Sequence, residues 1–330
     1  MIPDEPVAGD GPEKPPPREG ELGRPGESLS ASVDPEARDT SGARRGIPMG
    51  LITWGVVLLV LVAVVALVTA KLLTPSPSRH PVAFTPSLAP ATVAEEITNL
   101  PSDLFARAGV PTTSLVAPPV KIVRAPLLRL EGRPLVLATG AAFCPYCASQ
   151  SWALVIALSR FGRFSHLAMT HSSDSAVFPG SVSISLEGAT YTSRYLALRF
   201  VEQYADRPES SGGIGFARTG YLSPGERRIV DRFDAPPYVP AVDAGTLPFT
   251  DIANQAVMAA YQGFSPGLLN GLTIQQAAAD IADPSMTLSK AVLGTANLLT
   301  AAICRATGGQ PGGVCSTSTI QAASAALATP

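Results

Sequence analysis

Cys144 and Cys147 stand two residues apart in Phe143-Cys-Pro-Tyr-Cys147, a spacing that lets both sulfurs meet in one disulfide and exchange it with other thiols. The run 147–161 that follows holds no Pro and no Gly and lines Trp152, Val155, Ile156 and Ser159 along one side, which predicts a helix starting at the pair. A cysteine in the first turn of a helix faces unpaired backbone N–H groups and the positive end of the helix dipole, and both favour thiolate. Cys144 is therefore the expected accessible nucleophile and Cys147 the expected buried resolving thiol. No charged residue lies between Arg133 and Arg160, so a moderately acidic thiol is expected rather than an extreme one. The same residues also fit an inert structural disulfide or half of a zinc site. Zinc would need a second close pair, whereas Cys304 and Cys315 are eleven positions apart, outside the usual knuckle spacing.

Between Cys304 and Cys315 the residues Ala306-Thr-Gly-Gly-Gln-Pro-Gly-Gly-Val314 are mostly turn formers. A structural disulfide that closes this short loop and pins a C-terminal cap is the expected pairing. His166 and His171 flank one predicted strand and His80 lies in a linker. Two thiols and a histidine would suit Cu(I), but a strand-end histidine is ordinarily solvated surface, and neither a metal nor a cofactor is expected. Gly212-Gly-Ile-Gly215 lacks the helix and paired acid of a nucleotide fingerprint and reads as a loop. No Ser/His/Asp triad can be argued. A formal net charge of -2 without a basic patch interleaved with aromatics excludes nucleic acid as a partner.

These side chains need a framework to position them. Residues 1–46 carry eight Pro and seven Gly among ten acidic and six basic residues, too polar to offset ordering entropy, and read as a disordered tail. No charge occurs from Gly46 to Ala70, so residues 47–73 are expected to cross a membrane as one helix. The rival, a cleaved signal peptide, has a shorter apolar run and a shorter leader. Arg38, Arg44 and Arg45 before the span against Lys71 and Arg79 after it place the N-terminus in the cytoplasm by a narrow margin. Residues 74–90 read as a Pro-rich linker, 91–316 as the folded domain outside the cytoplasm, and 317–330 as a tail or surface helix. Within the domain a helix is expected from about Thr92 with Glu95 and Glu96 in its first turn. A strand or hairpin arm is expected over 121–130, a turn over 131–134 and a buried strand over 135–138. Further strands are expected over 166–170, 182–186 and 195–201. Ser223-Pro-Gly-Glu226 is the start of a capped helix through Phe233.

With its strand, small-residue turn, Cys144-Pro-Tyr-Cys147 and helix, the chain resembles the thioredoxin superfamily, in the dipeptide variant found in glutaredoxins. That resemblance implies a cis-proline beside the cysteines, opening a strand whose hairpin partner leads into a last helix. The segments 247–252, 255–261 and 263–269 and a helix from about Thr273 repeat that order, with Pro248 as the implied cis-proline and Pro240 as runner-up. More closely, the chain is similar to the DUF929 family of membrane-anchored proteins. The similarity is carried by Gly140-Ala-Ala-Phe-Cys-Pro-Tyr-Cys-Ala148 with Trp152, by Gly188-Ala-Thr-Tyr-Thr-Ser-Arg-Tyr195, by Leu247-Pro-Phe-Thr-Asp-Ile-Ala-Asn254, and by Cys304 and Cys315. Ala142 and Ser151 stand where that family's pattern often has an acid and a base. The resemblance implies an α/β, thioredoxin-like domain with an N-terminal extension and a C-terminal helical cap behind one transmembrane helix. The implied activity is dithiol–disulfide exchange with protein thiols or a membrane redox partner. The alternative is a non-catalytic binding module with structural disulfides.

Overall fold

The computed structural model describes residues 57–66, 69, 86–111, 120–209, 215–259 and 263–328. The tail 1–46, most of the linker with His80, and residues 212–214 lie outside them, as does much of the expected span 47–73. What is described of that span is α1 (Val57–Ala66), an apolar helix of exposed Val and Leu side chains, together with Thr69. It belongs to the first of two units, 1–76 and 77–330.

The second unit opens with β1 (Ser87–Leu88), α2 (Ala91–Thr98) and α3 (Ser102–Ala108). Glu95 and Glu96 fall in the middle of α2 rather than its first turn, and Val93 and Ile97, one turn apart, are the residues it buries. The 121–130 stretch divides into β2 (Lys121–Ile122) and β3 (Arg129–Leu130), because Pro126 between them has no N–H to give a ladder. A turn through Glu131 and Gly132, both at positive φ, leads into β4 (Arg133–Gly140) and then α4 (Pro145–Ser159). An insertion follows with β5 (Arg163–Ser165), β6 (Ala168–His171), β7 (Val182–Ser185) and β8 (Thr190–Thr192). Next come β9 (Ala197–Glu202), β10 (Tyr204–Pro208), β11 (Phe216–Arg218) and α5 (Pro224–Phe233). Helix α5 carries both halves of the capping box between Ser223 and Glu226. The chain closes with β12 (Phe249–Ile252), β13 (Ala256–Ala259), a 3-10 turn (Pro266–Leu269), α6 (Ile274–Ala282), α7 (Thr287–Ala306), α8 (Gly312–Cys315) and α9 (Ser318–Ala328).

The main sheet is mixed. It runs β2-β13-β12-β4 with β9 on the other side of β4 and β3 beside the first residues of β4. Strand β4 is parallel to β9 and antiparallel to β12, and β12 is antiparallel to β13. Val136, Ala138, Ile252, Ala256 and Met258 join the core built by α4 and α7, whereas Phe249, Val257 and Ala259 pack with Phe233 of α5 and with Val239. Helices thus cover both faces, which is why the 135–138 run is apolar at every position.

Two helices organise the larger core. Trp152 of α4 is fully buried and its Nε1 donates to the Val182 carbonyl at 3.0 Å, tying the β1-β6-β7 sheet to the helix. Helix α7 packs along α4, and its buried Asn297 Nδ2 donates to the carbonyls of Phe105 and Gly109 at 2.9 and 2.7 Å. Among the described residues α7 is the helix long and apolar enough to cross a membrane by length and composition, and 83% of its apolar window is buried inside the domain. It is the second central helix of the core rather than part of a peripheral cap. Of the two expectations for 317–330, a tail or a surface helix, the structure shows a helix over 318–328, though not one confined to the surface. Residues 318–328 form α9, whose Ile320, Ala323 and Leu327 are buried with α7 in the main core, so the domain runs past residue 316. Cys304 and Cys315 are joined in a disulfide. Closing a loop with a sequence separation of 11 contributes about 2 to 3 kcal/mol by loop-closure entropy and fixes the turn from which α9 departs.

Candidate functional site

At the end of β4, Ala141, Ala142 and Phe143 turn the chain so that Cys144 becomes the N-cap of α4, with Pro145 at the first helical position, where its missing N–H costs nothing. The Cys144 Sγ accepts from the Cys147 backbone N–H at 3.3 Å, and the Cys147 Sγ accepts from the Ala141 N–H at 3.3 Å. The Cys144 thiol also lies 3.8 Å from the Leu247 carbonyl, to which it donates. Both cysteines are free thiols. The Leu247–Pro248 peptide bond is cis, and Pro248 lines the same small cavity as the two sulfurs. Pro240 is not among the cis prolines.

Cys144 is less open than its place at a helix start implied, with 7% of its surface exposed. Phe143, Tyr146, Tyr204 and Leu247 pack around the pair. Phe143 is held by stacking on Phe216 at 3.9 Å, and Tyr146 meets Phe178 edge-on. The pair therefore sits under an aromatic and carbonyl rim supplied by loops far apart in the chain.

The two thiols are electrostatically unequal. Cys144 lies below the ordinary thiol value. The Cys147 thiol hydrogen-bonded to its sulfur is the main cause and the N–H groups of Cys147 and Tyr146 add to it, against burial, which pushes upward. Cys147 lies well above that value, first through burial, then through the proton it shares with Cys144 and the negative charges of Cys144 and Glu202. Glu202, which the sequence reading did not single out, ends β9. The register Gly140↔Glu202 sets it beside the end of β4, next to the start of α4. A Cβ on Gly140 would lie 3.6 Å from Glu202 Oε1 and 3.7 Å from Cys147 Cβ, so the carboxyl and the deeper cysteine meet across a position that carries no side chain. Glu202 Oε1 is buried and finds no hydrogen-bond partner among the described residues. Burial above all, and then the charges of Glu187 and Cys144, push this carboxyl up to about 8.

The cavity behind the pair, about 20 Å³, also takes in Gln150 and Thr170, and by volume it admits one water. The Gln150 Nε2 donates to Thr250 Oγ1 at 2.7 Å, locking α4 to β12 close behind the cis-proline Pro248. His171 stays at the end of β6 with its Nδ1 3.0 Å from the Ser172 carbonyl. Among the described residues no group of three or more His, Cys, Asp or Glu is placed to hold a metal ion.

Residues 119–208, which contain β4, the cysteine pair, α4 and β9 with Glu202, match the family model described as Domain of unknown function (DUF929). No curated protein and no solved structure matches the chain.

Proposed function

We propose that this chain, whose residues 119–208 match the DUF929 family model, is a membrane-anchored thiol–disulfide oxidoreductase of thioredoxin-like build, acting outside the cytoplasm. The observation that carries the reading is the inequality of the two thiols at one helix start, Cys144 made more acidic and Cys147 made less so. The build is supported by the order β4, α4, β9, α5, β12, β13, α7. In that order the cysteines follow the central strand, a cis-proline precedes its antiparallel neighbour, and helices lie on both faces. Anchoring is supported by the uncharged run from Gly46 to Ala70 and by the helical, exposed α1 within it. The outside location is supported by the Cys304–Cys315 disulfide, since such bonds persist in oxidising compartments.

In the reducing direction, the Cys144 thiolate attacks one sulfur of a client disulfide. The client S–S bond breaks, a mixed disulfide forms, and the departing client sulfur takes up a proton. Cys147 then loses its proton and attacks Cys144 Sγ, forming the Cys144–Cys147 bond and releasing the second client thiol. Two electrons pass from the dithiol to the client, and the reverse sequence oxidises a client dithiol. Glu202 can take the Cys147 proton only when ionised, and with its value pushed up to about 8 it is ionised in a minority of molecules at neutral pH and in most of them at higher pH. The burial of Cys144 favours the second reading, a binding module with an idle pair, because a client disulfide reaches Sγ only when the rim of Leu247, Phe143 and Tyr146 gives way.

The two readings part in one experiment. The purified full-length chain in neutral detergent is equilibrated in glutathione buffers of graded potential, and the Cys144–Cys147 state is followed by mass-tag alkylation. A reversible two-electron transition, with transfer of the disulfide to a reduced peptide, is the expected result. A pair that stays reduced in the most oxidising buffer is idle. For location, a membrane-impermeant thiol reagent added to intact cells should label a cysteine introduced at Val242, whose side chain is exposed. Complete protection while internal markers stay sealed would reverse the orientation.

A further inference from the structure

The end of β4 away from the cysteines opens on a different surface. The turn before β4, the loop before β9 and the end of α7 enclose a groove of about 590 Å³, within the size range of small-molecule sites. Arg129, Arg133, Arg194 and Arg305 line it, with Tyr195 and Gln255 between them, and no Asp or Glu does. One carboxylate, Glu131, reaches Arg133 from outside the lining at 2.7 Å. Like charges gathered in this way repel one another, and no acid in the groove lining neutralises them.

Three of the four guanidinium groups are held in place by bonds that leave other donors over. Arg129 donates to the Gly132 carbonyl at 2.6 Å and Arg133 to the Ser193 carbonyl at 2.8 Å. Arg194 lies over the Tyr195 ring, 4.8 Å from its centroid, and donates to its hydroxyl. A guanidinium has five N–H donors, so each remains able to meet a further acceptor. Arg305 stands in the last turn of α7 with its side chain exposed, where its charge complements the helix dipole, and it lines the same groove as the other three. The groove's far wall, Thr307, Gly308 and Gln310, is braced by the Thr307 Oγ1 donation to the Gln310 carbonyl at 2.6 Å and by the Cys304–Cys315 disulfide.

Planar forks, one of them already paired with Glu131 and the other three without a carboxylate partner among the described residues, are suited to tetrahedral oxyanions. We propose that this groove binds a phosphate-type anion carrying at least two negative charges, either a free phosphoryl compound or the headgroup of an anionic lipid. The inference stands on the groove alone and does not depend on the redox reading.

The test is a calorimetric titration of the full-length chain in neutral detergent with inorganic pyrophosphate, and in parallel with water-soluble dihexanoyl phosphatidic acid and dihexanoyl phosphatidylcholine. Saturable binding of one or both anionic probes is expected, weakening as salt is added. Phosphatidylcholine, with no net charge, should not bind. Arg305→Gln and Arg194→Gln should each weaken binding about fivefold or more, and Arg228→Gln on α5 should leave it unchanged. Tight pyrophosphate binding identifies a free phosphoryl compound as the source, and binding of phosphatidic acid alone identifies a lipid headgroup. Arg305 is exposed, so that variant remains informative even if Arg194→Gln unfolds. Failure of both anionic probes to bind, or binding indifferent to Arg305→Gln, overturns the proposal.

Discussion

Replacing Glu202 by Gln is expected to give a stability advantage that is small below about pH 4.5, opens as pH rises and is complete above about pH 8, on the order of 3 to 5 kcal/mol at full size. The sign follows from which state holds the proton. Below the ordinary carboxyl value of 4.5 the side chain is neutral in both folded and unfolded chains. Between 4.5 and about 8 the unfolded chain releases its proton while the folded chain keeps it, so the stability of the parent protein falls with rising pH through that window. Above it, the folded state must bury a carboxylate whose Oε1 has no partner among the described residues. Gln is neutral throughout and escapes the loss. Asp234 and Asp251, each pushed up to about 7 chiefly by burial, tilt the parent curve in the same direction, so the readout is the difference between variant and parent. Urea unfolding at a series of pH values measures it, and parallel curves would show that the carboxyl is solvated. In the proposed exchange reaction the same variant should slow resolution by Cys147 more than attack by Cys144.

The second large effect is expected at the cysteines. Cys144→Ser should lower exchange turnover by roughly two orders of magnitude or more, since the thiolate and not the hydroxyl is the nucleophile. Cys147→Ser should instead hold clients as mixed disulfides through Cys144, because the attack proceeds and the resolving sulfur is gone. Non-reducing electrophoresis of the two variants, followed by mass spectrometry of the adducts, distinguishes the roles. Adducts of equal yield in both would mean the thiols are interchangeable. Adducts in neither, with turnover at background in the parent, would leave the pair as part of a binding module.

The elements that carry the cysteines were legible because their signals are local. Strand β4 is apolar at successive positions since both its faces are covered, α4 begins at a proline and runs without a breaker, and Ser223 and Glu226 close a capping box within three residues. Of what surrounds the thiols, the segment opening at Pro248 was expected from the resemblance, and the rest was not legible, because it arrives from elsewhere. Glu202 meets the site through the parallel register of β9 on β4, and in the sequence it is only a polar residue at a strand end. The burial of Cys144 depends on the carbonyl of Leu247, 103 positions away. Strands β5, β8, β10 and β11 form two-stranded ribbons of mixed polarity that no alternation announces. Helix α7 hides its central place behind Ser289, Thr295, Asn297 and Thr300, all buried, polar residues that would ordinarily mark a solvated side.

Helix α7 also bears on how the protein is made. By length and composition it would suit a bilayer about as well as the interior it occupies, so during synthesis at a membrane it has two possible destinations. The order of the chain favours the interior, because α4 and strands β4, β9, β12 and β13 all precede α7 and emerge from the ribosome first, offering a packing surface before the helix is complete. Asn297 sharpens the choice, since inside the domain its amide meets the carbonyls of Phe105 and Gly109, whereas among lipid tails it would have to forgo both. Arg160, just after α4, adds to this by reaching Asn297 and Thr300 at 3.4 and 3.3 Å. The polar residues that obscure the helix in the sequence are thus the ones that suit it to the protein interior.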